Sequence, residues 1–336
     1  MSQIRRKRPS TSDRKPALGR FLSRTSERTG IPEDGGEWEG REQREHGSGE
    51  ALGCVPLLEI LDLSWNGSVG GGVGGLQGLL GKLRPPLREI HLVACQLTAA
   101  DAAALGGALS ALPRLSVLDV SCNPQLSQEV DGSVGGFREL AASLSHAASL
   151  TTLRLQACGL TTGCLHDLGR TSVVGGRLPL LLDALQPSVV LELRLSSCEL
   201  TTDDLRHLAV ASGRGRLSSL RVLDLSYNGS AGDAGWSALF AAGGLGSLED
   251  LDLSLRPSTS ASCSAWLPAL LGALPRLPAL TRLAAQRWAL GPRERRQLSN
   301  CVRKRDVLLQ WDPDVGDAAA AASSSCESTN QESPEE

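Results

Sequence analysis

Apolar residues recur along this chain in one nine-residue frame, Leu-x-x-Leu-x-Leu-x-x-Asn, first met as LEILDLSWN at Leu58–Asn66. The frame returns as LREIHLVAC from Leu87, LSVLDVSCN from Leu115, LTTLRLQAC from Leu150 and VLELRLSSC from Val190. It then continues as LRVLDLSYN from Leu220, LEDLDLSLR from Leu248 and LTRLAAQRW from Leu280. The starts lie 29, 28, 35, 40, 30, 28 and 32 residues apart, a periodicity that marks a stacked array. Within each copy the fourth and sixth residues, such as Leu61 and Leu63, are two apart and so point to one side of a short strand. The ninth residue follows where the chain must turn. An inward Asn there can bond backbone groups that the turn exposes, and an inward Cys fills the same small space. One copy cannot cover its own apolar face, so the predicted fold is α/β, a solenoid with a concave parallel sheet and convex helices. About eight repeats and a C-terminal cap are expected.

Between strands the apolar spacing becomes helical. After Leu97, Thr98 is placed to cap a helix whose Leu105, Leu109 and Leu112 recur three and four residues apart, with Asp101 at its dipole-positive start. Thr161, Thr201 and the pair Asp203-Asp204 open later helices in the same way, and Pro113, Pro187 and Pro275 end or follow helices. Two repeats are overlong. The extra residues fall near 131–136 and, most economically, at 170–177, as loops on one face. After Asn66 the run GSVGGGVGG weakens the first helix start. At the far end, 293–305 predicts a short helix with Leu298 and Val302 inward and its basic residues outward. VLLQW at Val307–Trp311 supplies a final edge strand.

Asn66, Cys95, Asn123 and Cys158 alternate at the ninth position in repeats of 28 and 29 residues. With that alternation the chain resembles the ribonuclease-inhibitor subclass of leucine-rich repeat proteins over residues 52–311. The resemblance implies a horseshoe solenoid and a binding role, since the subclass includes inhibitors, sensor domains and scaffolds. Cys198 follows Cys158 without an intervening Asn copy, and the last two copies end in Arg256 and Trp288.

Composition narrows this further. Aromatic residues are 3% of the chain, so Leu, Val and Ala must fill most of the core. Net charge is −3 from 34 basic and 37 acidic residues, which recommends no nucleic-acid partner. Of nine cysteines, Cys95, Cys158 and Cys198 fall one per repeat, too far apart to pair. No leader or apolar span is evident, so a reducing, cytoplasmic setting with free thiols is expected. Asn66-Gly67-Ser68 and Asn228-Gly229-Ser230 match the glycosylation acceptor, but both asparagines are expected to face inward. Residues 1–51 read as a basic and polar disordered tail, and 312–336 as an acidic one. Arg5-Arg6-Lys7-Arg8 beside Ser10, Thr11 and Ser12 reads first as solvated charge, and second as a nuclear address or kinase site.

Candidate chemistry lies on the concave face. The residue between the inward pair of each strand gives Asp62, His91, Asp119, Arg154, Arg194, Asp224, Asp252 and Ala284. The predicted row places Arg154 beside Asp119 and Arg194, and Arg194 beside Asp224. This is either a set of neutralising ion pairs or a stripe whose arginines grip a partner's carboxylate or phosphate. Trp65, Cys122 and Tyr227 stand just before the turn, and the two rings suit binding anchors. The partner-binding set is therefore Trp65, His91, Asp119, Arg154, Arg194, Asp224, Tyr227 and Asp252. Trp236 and Trp266 are assigned to the core.

No catalytic set emerges from the five scattered histidines, and neither a Cys-x-x-Cys spacing nor a phosphate loop occurs. No cofactor and no metal site are expected. The sequence reads as a non-enzymatic, monomeric scaffold for a protein partner, without a membrane span. Ribonuclease inhibition, GTPase activation through Arg154 or Arg194, and substrate adaptation through the tails are the alternatives.

Overall fold

The computed structural model describes residues 57–71, 75–83, 86–127, 135–160, 177–187 and 189–312. The two tails, Thr161 and almost all of the 131–136 and 170–177 insertions lie outside the described residues.

Each copy of the frame contributes one three-residue strand: β1 (Ile60–Asp62), β2 (Glu89–His91), β3 (Val117–Asp119), β4 (Thr152–Arg154), β5 (Glu192–Arg194), β6 (Val222–Asp224), β7 (Asp250–Asp252) and β9 (Arg282–Ala284). With β11 (Leu308–Gln310) from the cap they form a nine-stranded sheet in the order β1-β2-β3-β4-β5-β6-β7-β9-β11. Every pairing is parallel and in register, so Leu61, Ile90, Leu118, Leu153, Leu193, Leu223, Leu251 and Leu283 stack in one buried line. The sixth residues, from Leu63 to Leu253, form a second buried line.

Helices close the convex side: α1 (Gly75–Leu80), α2 (Ala99–Leu109), α3 (Gly135–Leu144), α4 (Leu178–Ala184), α5 (Thr202–Gly213), α6 (Asp233–Ala242), α7 (Leu267–Ala273) and α8 (Pro292–Arg303). Leu105 of α2, Leu208 of α5 and Leu239 of α6 reach the strand leucines between the layers. The predicted caps form. Asp101 Oδ2 accepts from the Thr98 amide at 2.9 Å and its hydroxyl at 2.8 Å, and Asp204 Oδ2 accepts from the Thr201 amide and hydroxyl at 2.9 and 2.7 Å. On the convex side β8 (Ala261–Ser262) and β10 (Trp288–Ala289) pair in parallel.

The turn after each strand carries most of the polar architecture. The eighth residue is left-handed in seven copies, with φ of 64° at Trp65, 54° at Ala94, 60° at Cys122, 53° at Ala157, 56° at Ser197, 63° at Tyr227 and 70° at Arg287. A left-handed non-glycine residue costs about 1–2 kcal/mol. The conformation extends the ladder, because the eighth amide donates to the next repeat, as Trp65 N does to Val93 O at 2.7 Å and Tyr227 N to Ser254 O at 2.7 Å. Leu255 is the exception, turned into the core.

Asn123 explains the ninth position. Its Oδ1 accepts from the amides of Cys95 and Leu97, each at 3.0 Å, and its Nδ2 donates to Leu92, Val120 and Ser121. Asn228 repeats this with Cys198, Leu200, Leu195, Leu225 and Ser226. An Asn copy therefore completes the turn of the Cys copy before it. Each Cys thiol in turn donates back to the preceding repeat, Cys95 to Leu63 O at 3.1 Å, Cys158 to Val120 O at 3.2 Å and Cys198 to Leu155 O at 2.9 Å. Trp288 does the same with its indole, donating to Leu253 O at 2.8 Å. It is thus a working ninth residue as well as part of the cap.

Two sequence expectations need amendment. The glycine-rich run after Asn66 was read as a weak helix start, but Gly70 has a positive role: a Cβ there would come within 2.6 Å of the Gln96 carbonyl in the adjoining turn. The core is aliphatic apart from Phe137 and a cluster toward the C-terminal end, where Trp266 packs against Phe240, Trp236 and Trp288 with centroids 5.7, 5.8 and 4.9 Å away. In α8, Leu298 and Val302 are buried as expected. Arg305 is exposed as expected and also donates to the carbonyls of Leu274, Pro275 and Leu277.

Candidate functional site

The register fixes two outward rows on the concave face. The first runs Ile60, Glu89, Val117, Thr152, Glu192, Val222, Asp250, Arg282 and Leu308. The second runs Asp62, His91, Asp119, Arg154, Arg194, Asp224, Asp252, Ala284 and Gln310, the row that the sequence predicts.

The lateral pairs expected from sequence are present but secondary. Arg154 Nη1 lies 3.7 Å from Asp119 Oδ2, and Arg194 Nη1 lies 3.7 Å from Asp224 Oδ2. The closer partner of both arginines is Glu192, whose Oε1 accepts from Arg154 Nε at 2.8 Å and Arg194 Nε at 2.7 Å. Glu192 thus sits between two adjacent guanidiniums and relieves their repulsion. Burial pushes its carboxyl up, but the hydrogen bonds and charges of Arg154 and Arg194 outweigh burial and hold it below the ordinary carboxylate value. Burial likewise works against the charge of Arg194, and Glu192 and Asp224 outweigh it, so that guanidinium is held charged more firmly than usual. Gln156 joins the cluster, donating to Asp224 Oδ2 at 3.0 Å.

A second cluster lies toward the C-terminal end. Arg282 reaches Asp250 at 2.5 Å, Asp252 at 3.2 Å and Gln310 at 2.8 Å. His91 contacts Glu89 across 3.1 Å, not the aspartates beside it in its own row.

The aspartates also have structural work that their row position conceals. Oδ1 of Asp62, Asp119, Asp224 and Asp252 accepts the amide of Ser64, Ser121, Ser226 and Ser254 respectively, each at 3.0 Å. That leaves Oδ2 of Asp119, Asp224 and Asp252 to meet Arg154, Arg194 and Arg282 respectively. Sequence reasoning missed Glu192, Arg282 and Gln156 because the third and seventh positions of the frame were not read. The flanking positions of the same frame would have shown Glu192 opposite both arginines.

The two rows hold seven carboxylates, at Asp62, Glu89, Asp119, Glu192, Asp224, Asp250 and Asp252, against three guanidiniums, at Arg154, Arg194 and Arg282. Four net negative charges remain with His91 neutral. The centre is thus a neutralised network within two rows that are acidic taken together. Along its rim, Trp65 is 77% exposed and Tyr227 41%. They stand on the first and sixth strands of the sheet, about 24 Å apart at ~4.8 Å per strand. Cys122 is also exposed, whereas burial raises the thiols of Cys95, Cys158, Cys198 and Cys263, the last two to about 12.

Among the described residues no group of His, Cys, Asp and Glu is arranged to hold a metal ion. No helix among them is long and apolar enough to cross a membrane. A groove of about 570 Å³ opens on the convex side between α1 and α2, lined mainly by alanines and leucines with Gln77 and Glu139 at its edges.

A one-layer parallel sheet backed by helices, built from a leucine frame with Asn or Cys at the turn, defines a leucine-rich repeat solenoid. A family model described as "Leucine Rich repeat" matches residues 216–240. The chain is 33% identical over 192 residues to NLR family CARD domain-containing protein 4 of Xenopus tropicalis, covering 57% of this chain and 18% of that protein. The chain thus spans under a fifth of that relative's length. Among solved structures it is similar to the leucine-rich repeat-containing protein LegL7 of Legionella pneumophila, at 20% identity and a TM-score of 0.45 over 75% of this chain and 74% of that one. It is also similar to a Bacteroides fragilis protein, at 13% identity and a TM-score of 0.41 over 76% and 74% of the two chains.

Proposed function

We infer that this protein is a non-enzymatic scaffold that holds a protein partner on its concave sheet. One observation carries the reading: nine parallel strands present two outward rows in which Asp62, Glu89, His91, Arg154, Glu192, Arg194, Asp250, Asp252 and Arg282 are at least partly exposed. Trp65 and Tyr227 flank those rows and supply ring area for a partner's apolar side chains. His91, Asp119, Arg154, Arg194, Asp224 and Asp252 belong to the same surface, now with Glu192 and Arg282 added. The interlocked Asn and Cys turns support the ribonuclease-inhibitor type of repeat as a structural subclass.

An arginine that activates a bound nucleotide needs a guanidinium free to reach outward. Arg154 and Arg194 are both tied to Glu192, which disfavours that alternative.

The test is quantitative binding of a captured partner to the wild type and to a Trp65→Ala/Tyr227→Ala double variant. Both side chains are exposed and support no core contact, so the fold is preserved. Binding should weaken at least tenfold, about 1.4 kcal/mol. Unchanged binding would place the partner elsewhere.

A further inference from the structure

We propose that the basic segment 1–30 of this same chain docks along the acidic concave sheet and competes there with other partners. The inference concerns regulation of the concave surface and rests on the functional reading above. Charge is its first support. Residues 1–30 hold Arg5, Arg6, Lys7, Arg8, Arg14, Lys15, Arg20, Arg24 and Arg28 against Asp13 and Glu27, a net charge of +7. They face a sheet that carries four net negative charges, with the carboxylates of Asp62, Glu89, Asp250 and Asp252 at least partly exposed. Arginines of the segment can pair with carboxylate oxygens as Arg154 and Arg282 already do.

Placement is the second support. Leu57 stands just before β1, and Leu57, Ile60 and Trp65 are all exposed. The concave face therefore begins where the segment's tether ends. Residues 31–56 supply 26 residues, which reach on the order of 90 Å when extended. The seven strands from β1 to β7 span only about 29 Å at ~4.8 Å each. The tether is itself acidic, with seven carboxylates against Arg41 and Arg44, so the sheet repels it and attracts what lies beyond it. Tethering gives an effective concentration of order millimolar, at which modest pairing keeps the face occupied. Leu18, Phe21 and Leu22 within the segment offer apolar side chains to Ile60 and Trp65.

The charge distribution leaves a rival occupant, since residues 1–30 could pair instead with the tether. Zero-length carbodiimide cross-linking of the full chain, followed by peptide mapping, separates the two. Lys7 and Lys15 should join Asp62, Glu89, Asp250 or Asp252, and the yield should fall severalfold in 1 M salt. It should fall likewise in an Arg5→Glu/Arg6→Glu/Arg8→Glu variant, which keeps both lysines but reduces the segment to +1. Cross-links confined to residues 33–50, or formed only between molecules, would overturn the proposal. As a second measurement, a labelled synthetic peptide of residues 1–30 should bind the triple variant at least tenfold more tightly than wild type, whose face is already occupied. Equal affinities would also overturn it. Neither readout depends on Trp65→Ala/Tyr227→Ala partner binding. If the segment docks while that binding is unaffected, the inference holds and the functional reading fails. If no concave cross-link forms while that binding is lost, the reverse is true.

Discussion

Asn123 and Asn228 each engage five backbone groups of two neighbouring repeats. Stranding a buried donor or acceptor costs about 1–3 kcal/mol. Asn123→Ala should therefore lower the urea-unfolding free energy by roughly 3 kcal/mol or more. A loss under about 1 kcal/mol would show that the bonding pattern is not what the position needs. Glu192 makes a pH prediction. Its folded value is depressed, so its stabilising contribution is complete above the ordinary value of 4.5 and drains away as pH falls through the folded value. Glu192→Gln should be less stable than wild type near neutrality and should lose less stability on acidification below pH 4.5. Parallel acid profiles for the two proteins would refute the assignment. The thiols give a third check. With native protein at neutral pH, iodoacetamide should modify Cys122 well before Cys95, Cys158, Cys198 or Cys263, all four of which are buried.

At the scale of elements, the strand is the part most visible in sequence. Leu-x-Leu spacing placed all eight frame strands, and Thr98 and Thr201 correctly opened α2 and α5. Turn geometry was hidden. Nothing in the letters Trp65, Ala94 or Tyr227 announces a left-handed backbone, because the next repeat's carbonyls, not the local side chain, stabilise it. Gly244 does depend on being glycine, with φ of 79° and its missing Cβ aimed at the Ser212 carbonyl at the end of α5. Gly244→Ala should destabilise the protein by about 1–3 kcal/mol in chemical unfolding, whereas Gly78→Ala on an open face of α1 should be neutral or slightly stabilising.

Across the whole molecule, stability is distributed unevenly. The first repeat has a six-residue helix and, among the described residues, an unpaired strand edge, while the C-terminal repeats enclose Trp236, Phe240, Trp266 and Trp288. Solenoids unfold through neighbour terms, so poorly packed ends open first. Amide hydrogen exchange should accordingly be faster in β1 and α1 than in β6 and α6. Uniform protection would indicate a single cooperative unit.

By itself the sequence determined the solenoid, its repeat count, the concave row and the inward Asn and Cys positions. These follow from side-chain periodicity, which any chain obeying strand geometry must express. Tertiary structure alone decided how the row is wired. Glu192 bridging two arginines, Asp Oδ1 held by its own turn and Trp288 replacing a cysteine all depend on contacts between residues about 30 or more apart, or on how one turn folds back. An electrostatic sign read from single positions was for that reason incomplete: the charge a partner meets is set by which neighbours the register brings within about 4 Å.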